Sequence, residues 1–264
     1  MNILTIIAHP DDETMLTGGA LALLAQAGAS VHYLCATRGE GGELGEPPLC
    51  TRADLGDLRE QEMRCAVQTL GGASIEFLDY VDPLIGKDQV LHPYTDDFEG
   101  LVTQIIAHLQ RVQPVAVITH GSSGEYGHPA HQLTHQATRK AVESLRPPKS
   151  SSEGCRPLLY TFSAAFPRHP RPRLANENDP AHIVLDITPV FQQKLEAALC
   201  HRTQHALFVR RSSIEAGRQL TISEVVMKLE GLHRAYPPIN SQPDDAVVEL
   251  LKPWTKGFTF SLGG

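Results

Sequence analysis

Ile3-Leu4-Thr5-Ile6-Ile7-Ala8-His9-Pro10-Asp11-Asp12-Glu13 is an apolar run that halts abruptly at a histidine and adjacent carboxylates. Over 14–27, Met15, Leu16, Ala20, Leu23 and Leu24 recur at helical spacing, and Gly28 suits the cap that ends a helix. The stretch therefore predicts a buried strand delivering His9, Asp11 and Asp12 to the mouth of a helix. In open α/β sheets that edge faces the ligand crevice, with the amides of the helix N-terminus pointing into it. Adjacent carboxylates repel unless a cation or a shared proton relieves them. Helix capping accounts for one acid there and explains neither the second nor the histidine.

Working outward, 31–36 is a second apolar run, which completes a β-α-β unit and implies a parallel pair joined by a right-handed crossover. It ends in the polar loop Thr37-Arg38-Gly39-Glu40-Gly41-Gly42-Glu43. This loop lacks the G-x-G-x-x-G spacing and carries two Glu, so it reads as substrate-facing in preference to phosphate-binding. Helices are expected over 54–70 and 97–112, and strands over 75–78 and 114–119, the first of which leads to Asp82. Arg59 and Glu62 lie one turn apart on the first of these helices, the spacing of a weak surface ion pair. The last strand runs into a glycine-rich segment holding His128 and His131, three residues apart at the start of a helix in which Pro129 suits the first turn.

Strands alternating with helices predict a Rossmann-like three-layer α/β sandwich with a mostly parallel sheet flanked by helices. One domain is expected over 1–264, with a metal-site core in 1–145 completed by strands, helices and loops in 146–264. In that second part 146–157 reads as a connector, 159–162 and 182–186 as strands, 188–201 and 224–231 as helices, and 166–180 as a loop overhanging the site.

The formal charge of -7 offers no basic face for nucleic acid or an anionic membrane, and no apolar run approaches the ~20 residues of a membrane span. Five scattered cysteines without a C-x-x-C pair suggest reduced thiols, and with Met1 leading directly into a strand the expectation is a cytoplasmic protein with a small-molecule partner. A homo-oligomer is compatible with this reading. Thirteen histidines direct attention to metal ligands. His9, Asp12 and His131 together make two imidazoles and a carboxylate, which leaves a fourth zinc position for water. Asp11 remains to accept a proton, an arrangement suited to hydrolysing amides.

With these residues in view, the chain resembles the LmbE-like, or PIG-L, family of N-acetylglucosamine deacetylases, which includes enzymes of glycosylphosphatidylinositol, mycothiol and bacillithiol synthesis. The likeness covers roughly the first 145 residues: the His9-Pro10-Asp11-Asp12-Glu13 motif, the Thr37-Arg38-Gly39-Glu40 loop, Arg59-x-x-Glu62 and Gly127-His128-Pro129-Ala130-His131. A fainter echo is the ending His201-Arg202-Thr203-Gln204. The resemblance implies one zinc ion per chain, with another divalent transition metal as the alternative, held by His9, Asp12 and His131. It implies Asp11 as general base, His128 as a cationic group that stabilises the oxyanion or protonates the leaving amine, and Arg59 and Asp82 as substrate contacts. Ala130 departs from the family pattern, which has an Asp there to support the preceding histidine.

The expected function is zinc-dependent removal of the N-acetyl group from an N-acetylglucosaminyl small molecule. Alternatives are a zinc amidohydrolase or esterase with another substrate, and a non-catalytic, metal-containing module that binds a sugar or nucleotide.

Overall fold

In the computed structural model, which describes residues 1–86, 90–145 and 156–256, β1 (Asn2–Ile7) is an interior strand of the sheet, buried on both faces. Its alternate side chains serve two separate cores, Ile3 and Ile7 on one face and Leu4 and Ile6 on the other. A strand covered on both faces needs a continuous apolar run, which is what residues 3–8 supply. The chain continues through α1 (Asp12–Gln26), β2 (Ser30–Thr37), α2 (Leu55–Thr69), β3 (Ser74–Tyr80), α3 (Phe98–Val112) and β4 (Ala116–Thr119). A single turn, α4 (Gly124–Gly127), precedes α5 (Pro129–Ser144), β5 (Leu158–Thr161) and β6 (Ala164–Ala165). Then come β7 (Asn176–Pro180), β8 (Ile183–Asp186), α6 (Phe191–Cys200), α7 (His205–Ala216), α8 (Ile222–Val225), β9 (Leu229–Tyr236) and α9 (Ala246–Leu251).

Seven strands form the main sheet in the order β3-β2-β1-β4-β5-β9-β8. The first five are parallel, whereas β9 runs antiparallel to both β5 and β8. Helices α1 and α2 share one core with β1, and α3 and α5 share the other, which gives the expected Rossmann-like three-layer sandwich. Strand order reverses between β1 and β4, so the crevice beyond their carboxyl ends lies at a topological switch point, where such folds bind ligands. His9 leaves β1 there, and His120 leaves β4.

Close packing of α1 on the sheet's far end depends on Gly19, since a Cβ at that position would meet Ile187 Cβ at 2.5 Å. Beside it Glu230 of β9 accepts the Gly19 and Ala20 amides at 2.8 and 2.7 Å and pairs with Lys194 of α6 at 2.6 Å, all within the interior. Two sequence expectations fail in this region. The helix expected over 224–231 is one turn, α8, followed by strand β9, because Glu230 is an interior residue with three buried partners. The loop expected over 166–180 contains β7, which pairs with β6. Of the connector expected over 146–157, residues 146–155 lie outside the described residues.

The cysteines also depart from expectation. Cys65 of α2 and Cys200 of α6 form a disulfide, with Cα atoms 5.9 Å apart, and Cys35 and Cys50 are free. The pair is separated by 135 residues, which no spacing rule detects, and it removes the reduced-thiol argument for a cytoplasmic location. Among the described residues no helix is long and apolar enough to cross a membrane.

Candidate metal centre

The turn from β1 to α1 is set by Asp12, whose Oδ2 accepts the His9 amide at 2.9 Å. Asp11 takes up the left-handed conformation between them, φ 109°, a strained choice for a residue with a side chain and one that clusters at functional sites. Its amide donates to Glu13 at 3.0 Å, and Glu13 in turn meets buried His201 at 2.8 Å. The second half of the site comes from the β4 to α5 segment. There Glu125, also left-handed with φ 59°, turns its carboxylate inward and is nearly inaccessible.

Two imidazole nitrogens and both oxygens of one carboxylate converge where these segments meet. His9 Nδ1 lies 3.3 Å from His131 Nε2, His131 Nε2 is 3.3 Å from Asp12 Oδ1, and Asp12 Oδ2 is 3.4 Å from His9 Nδ1. A tetrahedral zinc site with bonds of about 2.0–2.1 Å places its ligands roughly 3.3 Å apart, which is the spacing of the two nitrogens and of each nitrogen from its nearer Asp12 oxygen. The outer ring nitrogens are placed to match. His131 directs Nδ1 at Glu125 Oε2, 2.6 Å away, and His9 directs Nε2 at Asp82 Oδ1, 3.2 Å away. With those nitrogens donating to carboxylates, the opposite nitrogens present lone pairs toward each other and toward Asp12. Converging lone pairs repel unless a cation lies between them, and carboxylate support of the outer nitrogen is the usual arrangement around metal-bound histidine. The donor set therefore fits a divalent metal.

His120 and His128 also lie near the ligand atoms, each within 4.8 Å in a grouping that includes His131. His120 is fully buried and receives the Ala8 amide on Nε2 at 3.0 Å while Nδ1 donates to Glu125 at 3.0 Å. Burial opposes charge on this ring and Glu125 and Asp12 favour it, but the amide directed at Nε2 holds that nitrogen as an acceptor and the imidazole neutral. Its role is to buttress. Glu125 accepts four hydrogen bonds, from His120, His131, the Gly121 amide and Asn176, and burial is outweighed by the two imidazoles, which hold it ionised. The backbone at Gly121 approaches Asn176 so closely that a Cβ would fall 2.0 Å from its Cγ.

His128 caps α5, its Nδ1 accepting the Ala130 amide at 3.2 Å, so its Nε2 carries the proton of the neutral ring. Burial, then His131 and His9, push this imidazole down to about 3. Burial and the Ala130 amide on Nδ1 favour a neutral ring over the cationic one expected from the sequence. Ala130 itself is fully buried in the core beneath α5, and Glu125 serves His120 and His131 in place of His128. Asp11 faces the cavity with Arg59 Nη2 on its Oδ2 at 3.0 Å. Burial raises its carboxyl, Arg59 opposes this, and neighbouring Asp12 adds to the rise, leaving it at about 7.

Arg59 and Asp82 both line the cavity, which measures about 260 Å³ together with His9, Asp11, Asp12 and His128. Arg59 is 3% exposed and donates to Pro10 O, Gly39 O and Asp11, so it braces the general-base candidate and its loop. Its helix neighbour Glu62 is not its partner and instead receives the amide and hydroxyl of Thr203. The faint 201–204 echo is thereby located: His201 holds Glu13, Thr203 holds Glu62, and Gln204 holds the Glu43 carbonyl at the cavity edge. Sequence reading passed over His120 as a site residue, although it stands at a strand's end as His9 does, and over Asn176, for which no local signal exists.

Comparison with known proteins follows the same lines. Among solved structures, the chain is similar to GalB, the 4-carboxy-2-hydroxymuconate hydratase from Pseudomonas putida KT2440, with a TM-score of 0.62, 24% identity, and coverage of 92% of this chain and 99% of that one. It is also similar to the N,N'-diacetylchitobiose deacetylase of Pyrococcus horikoshii, with a TM-score of 0.60, 21% identity, and coverage of 88% and 82%. At these identities the likeness is one of fold. Two curated relatives bear the name 1D-myo-inositol 2-acetamido-2-deoxy-alpha-D-glucopyranoside deacetylase. That of Rhodococcus erythropolis is 37% identical over 155 residues, 54% of this chain and 53% of its own length. That of Actinosynnema mirum is 30% identical over 227 residues, covering 76% and 80%. The chain thus spans about half the length of the Rhodococcus relatives it matches. The profile of the PIG-L family, described as GlcNAc-PI de-N-acetylase, matches residues 4–142, which include His9, Asp11, Asp12, His128 and His131, and the chain belongs to that family.

Proposed function

We propose that this protein hydrolyses the N-acetyl amide of an N-acetylglucosaminyl small molecule, with one zinc ion held by His9, Asp12 and His131. The observation that carries the reading is the convergence of His9, His131 and Asp12, with a second carboxylate, Asp11, beside them on the cavity wall. The names of the curated relatives and the family support the choice of amide and sugar. A fold shared with a hydratase does not choose the reaction, so the site residues carry that burden.

When bound, the metal supplies Lewis acidity that polarises the acetyl carbonyl and lowers the pKa of water. The protein supplies the rest. Asp11 Oδ1, with Oδ2 held by Arg59, takes the proton of the attacking water, and a carboxyl near 7 is suited to both accepting that proton and giving it up. His128 presents Nε2–H as a neutral hydrogen-bond donor to the negative charge that develops on the carbonyl oxygen. The proton on Asp11 then passes to the departing nitrogen as the C–N bond breaks, leaving acetate and a free amine. Asp82 keeps the His9 ring oriented and lines the sugar's approach.

The test is stoichiometric release of acetate and primary amine from a panel of N-acetylglucosaminyl compounds by the zinc-loaded protein. Equal amounts of both products support the reading. Absence of either product across the panel, with metal present, contradicts it.

A further inference from the structure

The cavity has a polar floor and an apolar mouth. Ile85 and Val90 of the loop after β3, Tyr126 of α4 and Leu207 of α7 all line it and are 48, 46, 53 and 46% exposed. Pro83 and Leu91 continue the same wall. Exposed apolar side chains scattered singly need no explanation, but these come from three separate segments and meet around one opening. The geometry of α7 is built for this: Gln204 holds the Glu43 carbonyl at 2.9 Å, and Arg210 pairs with Glu43 and Glu46, so Leu207 is held at the rim by polar contacts on either side of it.

His92, which is exposed, also lines the cavity. Arg59 is the one arginine or lysine among the described residues lining the cavity, and its Nη atoms are engaged by Pro10, Gly39 and Asp11. Gln204 likewise spends its amide on Glu43 O and Thr203 Oγ1. A polyol would leave hydroxyls facing alkyl groups, an unfavourable match once water is displaced.

We infer that the substituent joined to the acetamido sugar is an apolar group, alkyl or aryl, seated against Ile85, Val90, Leu91, Tyr126 and Leu207. This rests on the deacetylase reading for the position of the sugar, since the apolar rim and the reacting residues enclose one continuous cavity.

The experiment compares octyl and methyl 2-acetamido-2-deoxyglucopyranosides and the corresponding inositol conjugate, all below micellar concentration, in wild type and in the Ile85→Ser/Leu207→Ser double variant. The expected result is a kcat/KM at least about tenfold higher for the octyl compound in wild type, with the octyl-to-methyl ratio falling towards one in the double variant. A ratio near one in wild type, a preference for the inositol conjugate, or a ratio unmoved by the double variant overturns the apolar seat while leaving deacetylation standing. If no glycoside is deacetylated, calorimetric titration with octyl glucoside, which lacks the acetamide, separates the two readings. Binding that the double variant weakens keeps the seat and discards the deacetylase, whereas no binding by wild type discards the seat as well.

Discussion

Glu125 is the residue on which the site's order most depends, since its two oxygens take four donors and it faces no other kind of group. In Glu125→Gln the amide nitrogen must face donors with a donor. His131 then loses its preferred tautomer, and metal affinity should fall by about 10- to 100-fold. Competition against a chelator measures this, and an unchanged affinity would show that His131 needs no such support. Ala130 carries the opposite lesson. Sequence alone presents it as a missing carboxylate, yet its side chain is 0% exposed among Leu4, Val117 and Ala137, so Ala130→Asp would bury an acid in an apolar core. A loss of about 1–3 kcal/mol or more is expected in denaturant unfolding, and full stability would contradict the packing. At this scale His9, Asp11, Asp12 and His131 were legible because each stands where a strand ends or a helix begins. Glu125 was legible only as a carboxylate that could replace the acid missing at Ala130, because it sits among glycines and turns inward towards His120 and His131 through a backbone conformation that composition does not reveal.

Among the elements, β9 shows most clearly where local reading stops. Its Glu230, His233 and Arg234 resemble the polar face of a helix, and the strand is specified instead by partners outside it, Gly19, Ala20 and Lys194, all more than thirty residues from Glu230, and Asp245, eleven residues from Arg234. Lys194→Met should cost about 3–5 kcal/mol, because it leaves the buried Glu230 charge with amides alone. An unfolding free energy in urea lowered by less than about 1 kcal/mol would mean that Glu230 takes up a proton without penalty. Beside this strand His182 receives the Arg234 amide on Nδ1 at 2.9 Å and packs its ring 4.6 Å from that of His233. Burial, then His233, push it down to about 4, whereas the unfolded chain binds that proton near 6.5. Folding is therefore favoured by this group above about pH 6.5 and loses that contribution as pH falls towards 4. His182→Gln keeps an acceptor for Arg234 without titrating, so its stability should fall less between pH 7 and 5 than that of wild type. Equal losses in the two proteins would assign the acid sensitivity elsewhere.

At the scale of the whole molecule, the alternation of apolar runs with helical spacing was enough to derive the parallel sheet, and the β1 to β4 switch point follows once the strand order is known. The antiparallel β9 and the Cys65–Cys200 link were not derivable, since both join segments far apart in the chain through contacts that periodicity does not encode. The central claim is a division of labour at the switch point, with Asp12 holding metal and Asp11 moving a proton. Metal content and acetate release measured on the same samples of Asp11→Asn and Asp12→Ala test it most directly. Asp11→Asn should retain its zinc and lose about 10²- to 10⁴-fold in turnover, whereas Asp12→Ala should lose both. Equal loss of zinc in the two variants, or full turnover in Asp11→Asn, would contradict the account.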